Sequence, residues 1–171
     1  PQRLRLNPWR PQDPPWLDLD AALADLPFNF RARRHHQWMF GMAADFGFWP
    51  DPFGLVAVAF THELPDVYEL FSWKATKVDT DAQGVYMKGL FDALPNVVSF
   101  VGDTAGKEKT ERWSERHAVQ FDIAEKRDKN ALEELLANDI RQGHYHFREG
   151  SPLLTEMRHL VYLPSKKPGA T

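Results

Sequence analysis

The stretch GHYHFREG, residues 143 to 150, holds the densest group of side chains able to do chemistry. In an extended segment, residues two apart share a face, so His144 and His146 can both reach one ion or one proton. Glu149 follows closely enough to be a third ligand. Two imidazoles with a carboxylate suit one divalent transition metal such as Zn, Fe, Ni or Cu. A plainer explanation stands beside this one. The segment leaves a helix C-terminus, where an imidazolium near the last carbonyls is favoured by roughly 0.3–1 kcal/mol. Metal or acid/base chemistry at His144, His146 and Glu149 is therefore an alternative reading, in which His117 or His159 could join from a distance.

A second candidate is the basic run RARRHH, residues 31 to 36. Arg31, Arg33 and Arg34 lie among Phe28, Phe30, Trp38 and Phe40, and basic groups interleaved with rings can bind single-stranded nucleic acid. The same arginines can pair with acidic groups of this chain or of another protein. The formal net charge of −3 gives no global pull toward nucleic acid, which is disfavoured as a partner. GDTAGKE, residues 102 to 108, fails as a phosphate loop: its glycine spacing is one residue short and Glu108 stands where Ser or Thr should be. There is no nucleophile elbow, and the absence of cysteine excludes thiol catalysis and disulfides.

The elements that must position these groups begin with an arm. In PQRLRLNPWRPQDPPW, residues 1 to 16, four prolines after Leu6 forbid helix and central strand. The stiff segment that remains carries Leu4, Leu6, Trp9, Arg10 and Trp16, an aromatic and basic set suited to lying along a surface. DLDAALADLP predicts a short helix ending at Pro27, and the spacing of Met39, Met42, Ala43 and Phe46 predicts another from His36 to Phe46. GLVAVAF predicts a central strand, VYELFSWKATKV a second and VVSFV a third. VYMKGLFDAL is compatible with helix or strand. Alternation in WSERHAVQFDIAE predicts a strand with one wet face. NALEELLANDIRQG predicts a helix with an Asn130–Glu133 capping box, a buried stripe of Leu132, Leu135, Leu136 and Ile140, and Gly143 as its stop. RHLVYLP, residues 158 to 164, predicts a last strand before a polar tail.

These elements predict an α+β fold: one domain over residues 17 to 164, between the arm at 1 to 16 and a polar tail at 165 to 171. The expected sheet is mainly antiparallel, with about four to six strands and two to four helices packed on one face. No apolar run approaches the roughly 18 residues that cross a bilayer. The chain starts at Pro1, as a processed mature chain would and equally as simple Met removal would leave it.

With an aromatic content of 13% and no complete catalytic motif, the leading expectation is a non-catalytic interaction or assembly protein. As a subunit of a larger complex, homo- or hetero-oligomeric, it would meet protein partners through Leu4, Leu6, Trp9, Arg10 and Trp16. No cofactor is expected under that reading. A metal ion enters only with the histidine alternative, and nucleic acid only with Arg31, Arg33 and Arg34.

Overall fold

The computed structural model describes residues 37–47, 50–103, 107–124 and 128–159. The arm with Leu4, Leu6, Trp9, Arg10 and Trp16, the helix expected before Pro27, the patch Arg31, Arg33 and Arg34, residues 160–164 and the tail all lie outside them.

Six strands form one sheet: β1 (Met39–Phe46), β2 (Phe53–Phe60), β3 (Val67–Ala75), β4 (Val97–Gly102), β5 (Asp122–Ile123) and β6 (Tyr145–His146). Four helices accompany them: α1 (Thr80–Ala93), α2 (Lys107–His117), α3 (Lys129–Gln142) and α4 (Pro152–His159). The strand order is β5-β4-β1-β2-β3-β6. None of the described helices is long and apolar enough to cross a membrane.

The α+β class is as expected, but the sheet is mixed rather than mainly antiparallel. β1, β2 and β3 form an antiparallel meander, while the pairs β1–β4, β4–β5 and β3–β6 are all parallel. The physical cause is α1. A parallel neighbour needs a crossover of a dozen or more residues, and this 14-residue helix carries the chain from β3 back to lie beside β1. Asp79 starts it by accepting from the Ala82 amide at 2.8 Å.

Two segments exchange their expected types. Residues 39–46 are a strand, in which Phe40, Met42 and Ala44 are buried and alternate with Gly41, Ala43 and Asp45. Met39, Met42 and Phe46 also fit a helical stripe, and the ambiguity is resolved by pairing on both sides, with β2 and β4. The expected strand around Trp113 is instead α2, whose Trp113 ring is buried and donates through Nε1 to the Thr80 carbonyl at 3.0 Å. The extended part of that stretch shrinks to β5. Arg158 and His159 close α4 rather than opening a strand.

The helices also do not share one face. Phe71 and Trp73 of β3 point into the core with Phe40, Phe53, Leu55 and Phe100, against Met87 and Leu90 of α1. Tyr86 of α1 meets Trp73 edge-on at 4.8 Å. Ser72, between them, must point the other way, and its Oγ accepts from the Leu153 amide of α4 at 3.3 Å. Helix α4 therefore covers the opposite face.

Helix α3 starts at Lys129 with Asp128 as N-cap, so Asn130 is not the capping residue. It ends as expected at Gly143, which takes a left-handed φ of 75°. Its leucine stripe is not buried among the described residues: Leu132, Leu135 and Leu136 are exposed.

Candidate active site

Two aspartates are brought side by side at the C-terminal ends of the parallel strands β1 and β4. In the register of the parallel pair, Ala44 lies opposite Gly102. One residue further along each chain are Asp45, near the end of β1, and Asp103, immediately after β4. Both line a cleft of about 440 Å³ on the α4 side of the sheet. Its floor is built from small or apolar side chains of the four central strands, including Ala43, Gly54, Val56 and Val101. Ser72 and Lys74 of β3 and Leu153 and Glu156 of α4 close the far side.

Local structure holds each member in place. Beyond Asp45, the chain passes so close to the Pro52 carbonyl that a Cβ on Gly47 would lie 2.1 Å from its oxygen, so only glycine fits. The Gly47 carbonyl accepts from the buried Gln83 side chain of α1 at 3.0 Å. Behind the far wall, the buried Glu69 carboxylate accepts from Ser72 Oγ at 2.6 Å, Ser151 Oγ at 3.0 Å and the Arg148 amide at 3.1 Å. Those bonds seat the N-terminus of α4 on β3 and thereby fix Glu156, which is ion-paired with Lys74. Burial, with the Glu69 charge as a lesser cause, pushes the nearby Tyr145 hydroxyl up to about 12.

The residues singled out by sequence are placed elsewhere. His146 Nε2 lies 2.7 Å from Asp66 Oδ1, and its ring stacks on Tyr68 with centroids 4.5 Å apart. This pair sits at the start of β3, at the opposite end of the sheet from Asp45. His144 contributes its backbone, donating to the Asp139 carbonyl and accepting from the Val67 amide. Glu149 is exposed in the following turn. His117 lies at the end of α2 rather than on a strand. Among the described residues no group of three or more His, Asp or Glu is placed to hold a metal ion, so His144, His146 and Glu149 do not form one.

Asp45 and Asp103 were not visible as a pair in the sequence, because one fell in an expected helix and the other in an expected polar loop. The signal was the repeated pattern of a strand rich in small residues ending in aspartate, GMAAD and SFVGD.

No protein-family model matches the chain, and no curated protein matches it. Solved structures do. The nuclease domain of the bacteriophage SPP1 large terminase, solved with bound Mn, aligns with a TM-score of 0.54 at 14% identity, over 74% of this chain and 71% of that one. The human cytomegalovirus terminase nuclease domain, Mn-soaked and inhibitor-bound, gives 0.53 at 9% identity over 83% and 85%. The large terminase nuclease of thermophilic phage G20c, with bound zinc, gives 0.56 at 16% identity over 74% and 73%. At these identities the likeness is one of fold. Together with the paired aspartates, it overturns the expectations of a non-catalytic assembly protein, of no cofactor and of nucleic acid as a disfavoured partner.

Proposed function

We propose that this chain is a divalent-metal-dependent nuclease domain of the terminase type, hydrolysing phosphodiester bonds of DNA at the Asp45–Asp103 cleft. The observation that carries this reading is the placement of two carboxylates side by side where adjacent parallel strands end, on a fold shared with nuclease domains solved with Mn or zinc.

The donor set fits a hard divalent cation. Asp45 and Asp103 offer only carboxylate oxygens, and Mg²⁺-type ions are commonly held by one or two carboxylates, with water and substrate phosphate completing the shell. A site of that kind does not need the three-residue protein cage that is missing among the described residues. When bound, the ion supplies positive charge that offsets the charge building on the phosphodiester oxygens.

The remaining work belongs to the chain. Asp45 and Asp103 concentrate negative charge at one point of an otherwise small-residue floor. Gly47 and Gln83 hold the backbone beyond Asp45, which limits the directions its carboxylate can take. Ala43 and Gly54 keep the floor low enough for a nucleic-acid backbone to approach. The reaction forms a P–O bond from water and breaks one to the leaving sugar oxygen, with the water proton released to solvent or that oxygen.

The test is cleavage of linear duplex DNA by the purified chain with Mn²⁺ or Mg²⁺, beside thermal melts with and without Mn²⁺. Wild type should cut and should melt higher with Mn²⁺, by about 2.7 kcal/mol of stabilisation at a hundredfold excess over Kd. Asp45→Asn and Asp103→Asn should lose both responses. A wild-type chain showing neither cleavage nor a Mn²⁺-dependent rise in Tm overturns the proposal.

A further inference from the structure

We propose that Gly54 and Lys74 form a phosphate subsite beside the aspartate pair, in which Gly54 is the gap a nucleic-acid backbone crosses and Lys74 is the cation that receives its phosphate. The inference rests on the nuclease reading and extends it to residues that the aspartates do not explain.

The first observation is a row. Asp45 pairs with Gly54 across β1 and β2, and Gly54 pairs with Lys74 across β2 and β3. Directly paired residues share a face, so these three point into the same cleft, which all of them line. Two strand spacings, about 10 Å, separate the Asp45 and Lys74 backbones. Only a hydrogen stands between their side chains, at Gly54.

Nothing among the described residues demands that glycine. Its φ is not in the left-handed region, and of the described residues an added Cβ would meet only Asp45, at 3.8 Å from its Cβ, an ordinary contact. Glycine is disfavoured in strands, and Gly54, the second residue of β2, is paired on both sides, with Asp45 and with Lys74. A strand-weakening residue with room for a larger one, facing a cleft beside two carboxylates, marks a place where another molecule comes close. Gly47 is the contrast, since there the fold itself excludes a side chain.

Lys74 is the only basic residue among the described residues lining the cleft, against Asp45, Asp103 and Glu156. It is ion-paired with Glu156, and both side chains are more than two-fifths exposed. Such a pair is held weakly in solvent, so the Lys74 ammonium can exchange its carboxylate for a phosphate without a large loss. Its flexible stem suits a point contact to a phosphate oxygen. Glu156 then serves as a resting partner that keeps Lys74 turned toward the cleft and away from Asp45.

The experiment measures steady-state cleavage of linear duplex DNA with Mn²⁺ for wild type, Lys74→Gln, Lys74→Arg, Gly54→Val and Gly54→Ala, at several salt concentrations. Each variant is also melted with and without Mn²⁺. Lys74→Gln should raise KM about tenfold and flatten the dependence of log KM on log salt by about one unit, as expected for one lost phosphate contact. Lys74→Arg should recover most of the affinity. Gly54→Val should raise KM at least as much, and Gly54→Ala, which the backbone accommodates, provides the same test should the valine variant not fold. All should keep the Mn²⁺-dependent rise in Tm. Wild-type KM and salt slope in Lys74→Gln, in an active enzyme, overturn the subsite alone. A wild-type chain that neither cleaves nor responds to Mn²⁺ overturns the nuclease reading and the subsite with it.

Discussion

The Gln83 side-chain amide donates to the Gly47 carbonyl at 3.0 Å and to the Val78 carbonyl at 2.9 Å, tying α1 to the backbone two residues beyond Asp45. Gln83 is wholly buried, and its Oε1 has no hydrogen-bond partner among the described residues. A buried polar group with one orphaned atom calls for a reason, and the two bonds made by its amide nitrogen supply one. Gln83→Met removes both donors while keeping the volume, and should cost about 1–3 kcal/mol in chemical denaturation. It should also shrink the Mn²⁺-dependent rise in Tm. Gln83→Glu, which sets a carboxylate against two carbonyl oxygens, should be worse than Gln83→Met. A methionine variant as stable as wild type would show that the tie contributes nothing.

Glu69 plays the corresponding part behind the far wall of the cleft, through its bond to Ser72. Its carboxylate accepts from Ser72, Ser151 and the Arg148 amide, so Glu69→Ala leaves three donors without their acceptor. The expected loss is about 3 kcal/mol. The loss should be local as well as global, because these bonds anchor α4. Hydrogen exchange should quicken across residues 148–159 more than across β1 and β2. Uniform exchange in the variant would mean that α4 is held by other contacts.

What the sequence conveys depends on whether a segment has one explanation or two. GLVAVAF, bounded by turn residues, is too short for a helix and is the central β2. The glycine after DIRQ marks the end of α3, because left-handed φ has few other tenants. MFGMAADF satisfies both periods, since its small residues at 41, 43 and 44 fill either face. Its strand identity comes from two neighbours far away in sequence. That single ambiguity hid Asp45. Asp103 was hidden differently, as a polar residue opening a polar loop, and only the register beside β1 gives it a partner. Histidine spacing at 144 and 146 was readable, but not the turn that brings Asp66 to His146 from the start of β3.

Gly84 in the middle of α1 allows a sharp test of helix packing. Glycine in a helix ordinarily costs about 1 kcal/mol relative to alanine. Here an added Cβ would lie 2.8 Å from Trp113 Cδ1 and 2.9 Å from its Nε1. The indole is buried and bonded to Thr80, so it has little freedom to retreat. Gly84→Ala should therefore destabilise, by about 1–3 kcal/mol, despite the better helix propensity. Adding Trp113→Phe, which shortens the clashing ring, should make the alanine substitution less costly than it is alone. A stabilising Gly84→Ala would show that α1 and α2 shift apart freely.

Tyr145 sets an alkaline limit on stability. Its hydroxyl is pushed from 10.0 up to about 12, first by burial and second by the Glu69 charge. The folded state therefore keeps the proton where the unfolded chain releases it. The resulting stabilisation is complete below pH 10 and is lost as pH rises from 10 through 12. Two units correspond to about 2–3 kcal/mol. Tyr145→Phe cannot ionise, so the difference in unfolding free energy between wild type and variant should be constant from pH 7 to 9.5. It should then move against wild type by that amount toward pH 12. Glu69→Gln removes the second cause, so the loss should still begin near pH 10 but should be smaller and complete at lower pH. Parallel curves for wild type and Tyr145→Phe across the alkaline range would place the hydroxyl in contact with solvent.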